Sequence, residues 1–388
     1  MTEIRVISPD EALALSRLRS AAFAFSTDPE HPSPVTRECL GSYEDGRLCA
    51  AVTICPYEGN WCGHFLPVLG VGGVSTLPLA RRSGHIRRLF GELERLGAER
   101  GWAYGLLYPF SYSYYRQFGY ERVAPRVSLT VPFEKLDCVP RCADAVLYDG
   151  SQEAALLALF ERYAASHNLM IRRPDAKAFD PVPERSLVYT YLHLDPDGAP
   201  DAYATLSYGR DSDLVTVHEL VCTTPASLSG ILGVLRLFEG QRRAVHFASL
   251  PPTSPVIPFL GHYHHIERGW GNGAMGRVLD TQTLLRENAY PDAPGRFTLA
   301  VRDALPSCAG VFEVEYGGGE AEVRRIADGE DADVETDAPN LSRILLYGQG
   351  YTAEEMSFLP GTTVRRAAGA EAFARAFPRR CTDLLEHF

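Results

Sequence analysis

One order of elements occurs twice in this chain, and the repetition limits its fold more than any single motif. The stretch SPDEALALSRLRSAAF predicts a helix in which Ser8 caps, Pro9 takes the first turn and Glu11 completes a capping box. LGSYEDGRLCAAVTI then alternates as two strands joined across Asp45-Gly46, and VLGVGGVSTL adds a third. A helix follows Gly84, a buried strand occupies WAYGLLYPF, and SYSYYRQFGYERV closes the series. The same order returns with a capped helix from Ser151, two strands around Asp197-Gly198 and a strand in LVTVHELVCTT. The helical TPASLSGILGVLRLFEG follows, its Pro225 and Ser229-Gly230 paralleling Pro78 and Ser83-Gly84. Each half therefore reads as an α/β layer with helices packed on a sheet.

Past about residue 286 the pattern changes. FTLAVRDAL, GVFEVEYGGGEAEVRRI and DADVETDA read as meander strands turning at Gly317 to Gly319, with LSRILLYGQG and AEAFARAF as helices of a third, α+β domain. The expected domains are 1–125, 126–285 and 286–388, in keeping with ~100–200 residues each. A net charge of −11 disfavours nucleic acid and anionic membranes and suits a cationic partner. No apolar run reaches the ~20 residues of a membrane helix, and the first residues lack a signal peptide's basic and apolar regions, so a cytoplasmic protein is expected. The nine cysteines include no CxxC pair; neither a disulfide framework nor a metal is expected.

The two halves differ at one turn. Arg81, Arg82 and Gly84 stand just before the helical spacing Ile86, Leu89, Phe90, Leu93 and Leu96. A helix start carries about half a positive charge on unpaired N–H groups, so arginines there imply an anion brought from outside. Glycine lets the backbone approach that anion, successive N–H groups of residues 82 to 87 point at it, and the guanidinium groups add charge. Neither a Walker loop nor GxGxxG is present. In the second half Ser227 and Leu228 occupy the corresponding turn and the arginines are gone.

Arg81-x-x-Gly84-x-Ile86 between a strand and a helix resembles the pyrophosphate loop of the GNAT acetyltransferases, which hold acetyl-CoA. YYRQFGY lies past the next strand, VGGVSTL carries no acid, and a second unit and third domain follow. Taken whole, the chain resembles the enhanced intracellular survival (Eis) type, in which a degenerate GNAT unit and a sterol-carrier-like C-terminal domain follow the active unit. The resemblance implies tandem GNAT-like units and the following site. Val74, Ser75 and Thr76 would hold the pantetheine arm, and Arg81, Arg82, Ser83, Gly84, His85, Ile86 and Arg87 the pyrophosphate. Ser83 and His85 depart from the commoner arginine and aliphatic choices there. Phe110 and Ser111 would line the acetyl end, Tyr115 would be the general acid, and the Phe388 carboxylate, as the chain's terminus, the base. The family further implies N-acetylation of amines such as aminoglycosides, and a homo-oligomer, possibly a hexamer.

The chemistry is consistent with those roles. A departing thiolate, pKa ~8.5, needs a proton that a tyrosine near ~10 can donate. A carboxylate of pKa ~3.5 is a poor direct base for an ammonium, and works through water or after attack has made the nitrogen acidic. Tyr112, Tyr114 and Tyr120 are expected to pack as aromatics. His262, His264 and His265 read as loop imidazoles rather than metal ligands, and no G-x-S-x-G hydrolase motif occurs. Two alternatives stay open: a non-catalytic acyl-CoA or lipid-binding sensor, and a protein lysine acetyltransferase.

Overall fold

The computed structural model describes residues 2–142, 144–179, 182, 186–209, 212–261, 266–327 and 331–388. His262, His264 and His265 lie outside the described residues. Contacts divide the chain into two units: Met1–Val123 with Ala274–Arg380 and Glu386–Phe388, and Ala124–Gly273 with Cys381–Leu385. All nine cysteines are free. No helix among the described residues is long and apolar enough to cross a membrane.

The first unit begins with β1 (Thr2–Val6), α1 (Ala12–Phe23), β2 (Cys39–Glu44), β3 (Arg47–Trp61) and β4 (His64–Thr76). Ser8 N–H donates to the Glu11 carboxylate at 3.0 Å, as the capping box requires. Asp45 and Gly46 both take positive φ, 49° and 77°, the left-handed pair of a tight hairpin. A second hairpin, at Cys62-Gly63, joins β3 to β4 and was not evident in the sequence pattern; its φ values are 54° and 94°. Then come α2 (His85–Arg100), β5 (Tyr104–Leu107) and α3 (Tyr112–Arg116). Strand order runs β1-β2-β3-β4-β5, with β4 and β5 parallel. On α2 the residues Ile86, Leu89, Phe90, Leu93 and Leu96 are buried, so the predicted apolar stripe is the face that packs on the sheet.

In the second unit β6 (Glu121–Pro132) precedes β7 (Ala145–Leu147), α4 (Glu153–Ser166), β8 (Val188–Leu194), β9 (Pro200–Ser207) and β10 (Leu214–Cys222). They are followed by α5 (Pro225–Leu235), β11 (Ala244–Leu250) and α6 (Val256–Leu260). The order β6-β11-β10-β9-β8-β7 again contains one parallel pair, β10 with β11. Two expectations need correction here. The helix starts after Gln152 rather than from Ser151, whose N–H is taken by the Asp149 carboxylate at 2.9 Å. Ser227 and Leu228 lie inside α5 instead of in a turn, because Thr224 and Ser227 close a capping box that starts the helix at Pro225.

Deep in this unit a carboxylate holds the segment Cys381–Leu385. Asp383, 1% exposed, pairs with Arg126, and Tyr163 Oη donates to it at 2.7 Å. Arg126 Nε also donates to Ser249 Oγ at 2.8 Å. Asp383→Ala would strand the buried guanidinium, and a loss of about 3–5 kcal/mol is expected. Urea unfolding should register it as a lower midpoint at unchanged slope.

β12 (Glu267–Val278) places Met275–Val278 beside β5. α7 (Thr281–Arg286) leads into a five-stranded sheet of β13 (Gly295–Arg302), β14 (Gly310–Gly317), β15 (Glu320–Ile326), β16 (Val334–Asp337) and β17 (Thr363–Val364). Only β13 to β15 form the expected meander. β16 instead lies parallel to β13, so the order is β15-β14-β13-β16-β17. α8 (Ala338–Leu346), α9 (Ala353–Ser357) and α10 (Ala367–Ala376) complete it. This region is tied to the first: Arg277, 4% exposed, pairs with Glu94 of α2 at 2.6 Å and Asp303 at 3.0 Å and donates to the Phe118 carbonyl. Arg343 meets Glu121 at 3.1 Å, and Glu121 also holds Arg116 at the end of α3. Those pairs fix the element that carries Tyr115.

Candidate active site

The first unit opens a cleft because two parallel strands part. β4 and β5 pair from Val68↔Tyr104 to Val71↔Leu107, and there the ladder ends while β4 continues to Thr76. On its other side β4 remains paired with β3, but the register slips between Thr53↔Gly72 and Ala51↔Ser75, leaving Gly73 and Val74 opposite one residue. That is a bulge, and Gly73 at φ 56° is the glycine it calls for. Beyond Val71 that edge of β4 is free of the ladder, and Val74, Ser75 and Thr76 line a cleft of about 730 Å³.

The predicted turn forms one wall of it. Arg81, Arg82, Gly84, His85, Ile86 and Arg87 line the cleft together with Val74, Ser75, Thr76 and Phe110. Gly84, at φ 79°, is the N-cap residue of α2 and provides no side-chain cap, so the first amides of the helix stay open towards the cleft. Arg82 takes φ 67°, a left-handed conformation that costs a non-glycine residue about 1–2 kcal/mol. Arg81 and Arg82 are exposed and have no ion pair among the described residues. Arg87 is steadied by Gln117 Oε1 at 3.1 Å. Ser83 and Ser111 do not line the cleft: the Ser83 carbonyl accepts from Arg88 at 3.1 Å, and Ser111 Oγ caps α3 through Tyr114 N–H at 3.3 Å.

The second unit supplies an internal control. Its strands β10 and β11 also part, after Val217↔Phe247, and β10 also slips register, between Val217 and Glu219. Yet the first amides of α5 are already used, Ser227 N–H by Thr224 Oγ1 at 3.0 Å. What remains is an apolar pocket lined by Cys222, Leu228 and Phe259 among others, with no arginine. The first turn offers open amides and arginines, and among the described residues the lining of the second pocket offers no arginine.

Neither Tyr115 nor Phe388, the residues assigned to proton transfer, lines the cleft; Tyr115 lies behind its lining residues Phe110 and Tyr114. Tyr115 is 2% exposed, packed against Phe90, Phe110 and Tyr114 at ring distances of 6.0, 5.4 and 5.2 Å. Its hydroxyl has no hydrogen-bond partner among the described residues. Burial pushes its pKa well above the ordinary value near 10. Tyr114, expected only to pack, also lines the cleft. Phe388 lies against β4: a Cβ built on Gly72 would come within 2.9 Å of its carbonyl carbon, and one on Gly70 within 3.1 Å of its ring. Tyr57 and Tyr108 hold that ring at 5.7 and 5.6 Å, and Tyr108 Oη donates to the Glu386 carbonyl at 2.9 Å.

Several neighbours were not evident from sequence. Ala22 and Phe23 of α1 line the cleft. Arg19 Nη2 donates to Thr53 Oγ1 at 2.8 Å, and a Cβ built on Gly73 would come within 2.8 Å of that hydroxyl and 3.5 Å of Arg19 Nη2. Arg37 reaches Cys55 Sγ at 3.0 Å. These residues belong to no motif; only the paired glycines of VGGVSTL, which mark a bulge, could have pointed to the position.

Comparison with known proteins agrees with this geometry. The acetyltransferase (GNAT) domain family matches residues 3–123. No curated protein sequence matches the chain. Among solved structures, Eis1 from Mycobacterium abscessus is similar with a TM-score of 0.81 at 19% identity, the match covering 100% of both chains. A GCN5-related N-acetyltransferase from Anabaena variabilis gives 0.82 at 17%, and a probable N-acyltransferase from Enterococcus faecalis 0.80 at 19%, each again over 100% of both chains. At such identities the likeness is one of fold.

Proposed function

We propose that this chain is an N-acetyltransferase that transfers the acetyl group of acetyl-CoA to amines, aminoglycoside amines among them, a reading supported by the match of residues 3–123 to the acetyltransferase (GNAT) domain family. The observation that carries this reading is the uncapped start of α2, flanked by Arg81, Arg82 and Arg87, at the mouth of parted parallel strands. A diphosphate satisfies those amides and guanidinium groups at once. The freed edge of Val74, Ser75 and Thr76 suits the amides of a pantetheine arm, which would pair with it as a further strand.

The reaction asks three things of the protein. Val74 N–H, released at the bulge, supports the oxygen as negative charge develops there, a kind of contact worth about 3 kcal/mol. Tyr115 gives its proton to the sulfur as the C–S bond breaks and regains one from solvent. Its raised pKa does not defeat that step, because burial in the same apolar pocket penalises the thiolate as well. The carboxylate of Phe388, the last residue of this sequence, takes the proton from nitrogen once the C–N bond has formed, directly or through water. The net charge of −11 favours cationic acceptors over anionic ones.

A tyrosine whose pKa is raised stays protonated as pH climbs through the neutral range. At saturating substrates kcat should therefore hold until pH exceeds about 10, the ordinary tyrosine value. A basic limb falling below pH 9 in Tyr115-containing enzyme would point to another acid. The reading itself is tested by thiol release from acetyl-CoA with a panel of aminoglycosides, polyamines and lysine peptides. Turnover of aminoglycosides is expected; coenzyme binding without thiol release for any amine would favour a sensor, and turnover of peptides alone a protein lysine acetyltransferase.

A further inference from the structure

Behind the arginine turn lies a group of side chains that acetyl transfer does not use. His85, the first residue of α2, is 2% exposed, and Ser42 Oγ stands 2.9 Å from its Nδ1. Its Nε2 is buried and has no hydrogen-bond partner among the described residues; Glu44 Oε2 is 3.8 Å away, too far for one. The β2–β3 hairpin beneath it is irregular. Ser42 opposes Ala50 and Tyr43 opposes Leu48, so Cys49 is the extra residue of a bulge. The bulge brings its thiol, 5% exposed as a residue, to the same place. One ligand atom each from Glu44, Cys49 and His85 lie within 4.8 Å of one another.

We propose that Glu44, Cys49 and His85 bind one Zn²⁺ ion, which fastens the first residue of α2 to the β2–β3 hairpin. Zinc bonds of about 2.0–2.3 Å in a tetrahedron set ligand atoms roughly 3.3–3.8 Å apart, so the three groups need close by only about an ångström. A thiolate with an imidazole selects zinc over magnesium or calcium. Ser42 Oγ fixes the ring through Nδ1, leaving Nε2 for the metal, as the outer partners of metal-bound histidines do. On binding, the Cys49 S–H proton goes to solvent. Glu44 is half exposed, which leaves the fourth position to water. No spacing motif announces the set, because its members come from two neighbouring strands and a helix that begins 36 residues after Cys49.

The site shares His85 with the wall of the cleft but does not rest on the coenzyme reading, and it is tested without turnover. Chelator-treated protein is titrated with Co²⁺ and followed in the near ultraviolet and visible. One equivalent is expected to produce a thiolate charge-transfer band and tetrahedral d–d bands, displaced by Zn²⁺. Both should vanish in Cys49→Ser with the far-ultraviolet dichroism unchanged, and Ser42→Ala should weaken binding about 10–100-fold. If Cys49→Ser fails to fold, Glu44→Gln, at a half-exposed position, takes its place and should weaken binding at least about tenfold. Absence of the thiolate band in the parent protein, or a band undiminished in these variants, overturns the proposal.

Discussion

Tyr115→Phe is expected to lower kcat by about 10²–10⁴-fold while the Kd for acetyl-CoA stays within about twofold. The size of the effect follows from the role: without the hydroxyl the thiolate must leave unprotonated into an apolar pocket. The variant is also clean. Tyr115 packs through its ring against Phe90, Phe110 and Tyr114, and its hydroxyl has no partner among the described residues, so its loss orphans nothing. Stability should change by less than about 1 kcal/mol, which denaturant unfolding would verify. Tyr114→Phe is the companion, since Tyr114 lines the cleft. A large fall in kcat for Tyr114→Phe with none for Tyr115→Phe would move the acid to the neighbouring ring.

Extending the chain by two residues past Phe388 should reduce kcat by about 10²-fold or more with coenzyme affinity retained. The extension converts a carboxylate into an amide beside Gly72. Phe388 is clasped by Tyr57 and Tyr108, and its carbonyl carbon sits where a Cβ on Gly72 would approach to 2.9 Å. Gly72→Ala should therefore mimic the extension in part, by pushing the terminus off the strand. Unchanged turnover in the extended chain would remove the carboxylate from the mechanism. The pair of experiments separates position from charge.

Local chemistry explains how much of this could be read in advance. The hairpin at Asp45-Gly46, the Ser8 capping box and the stripe on α2 depend on neighbours within a few residues, and the sequence carries them openly. The arginine turn was legible for the same reason: unpaired amides and misplaced cations are visible in ten residues. Long-range pairing was not. Nothing near Asp337 indicates that Val334–Asp337 lies parallel to Gly295–Arg302. The bulge at Gly73 depends on a register slip against Ala51 and Thr53, some twenty residues earlier. Arg19 and Arg37 arrive from α1 and the segment before β2, and no spacing rule ties them to Gly73 or Cys55.

The central claim is that the α2 turn of the first unit holds a diphosphate. Calorimetry with acetyl-CoA and with S-acetylpantetheine, which lacks that group, tests it directly against the Arg81→Ala/Arg82→Ala variant. The account predicts one acetyl-CoA per chain, weakened about 10–100-fold in the variant as charged hydrogen bonds of about 1.5–3 kcal/mol are lost. S-acetylpantetheine should bind both proteins equally. Acetyl-CoA binding that ignores the substitutions, or falls no further than that of S-acetylpantetheine, would contradict it.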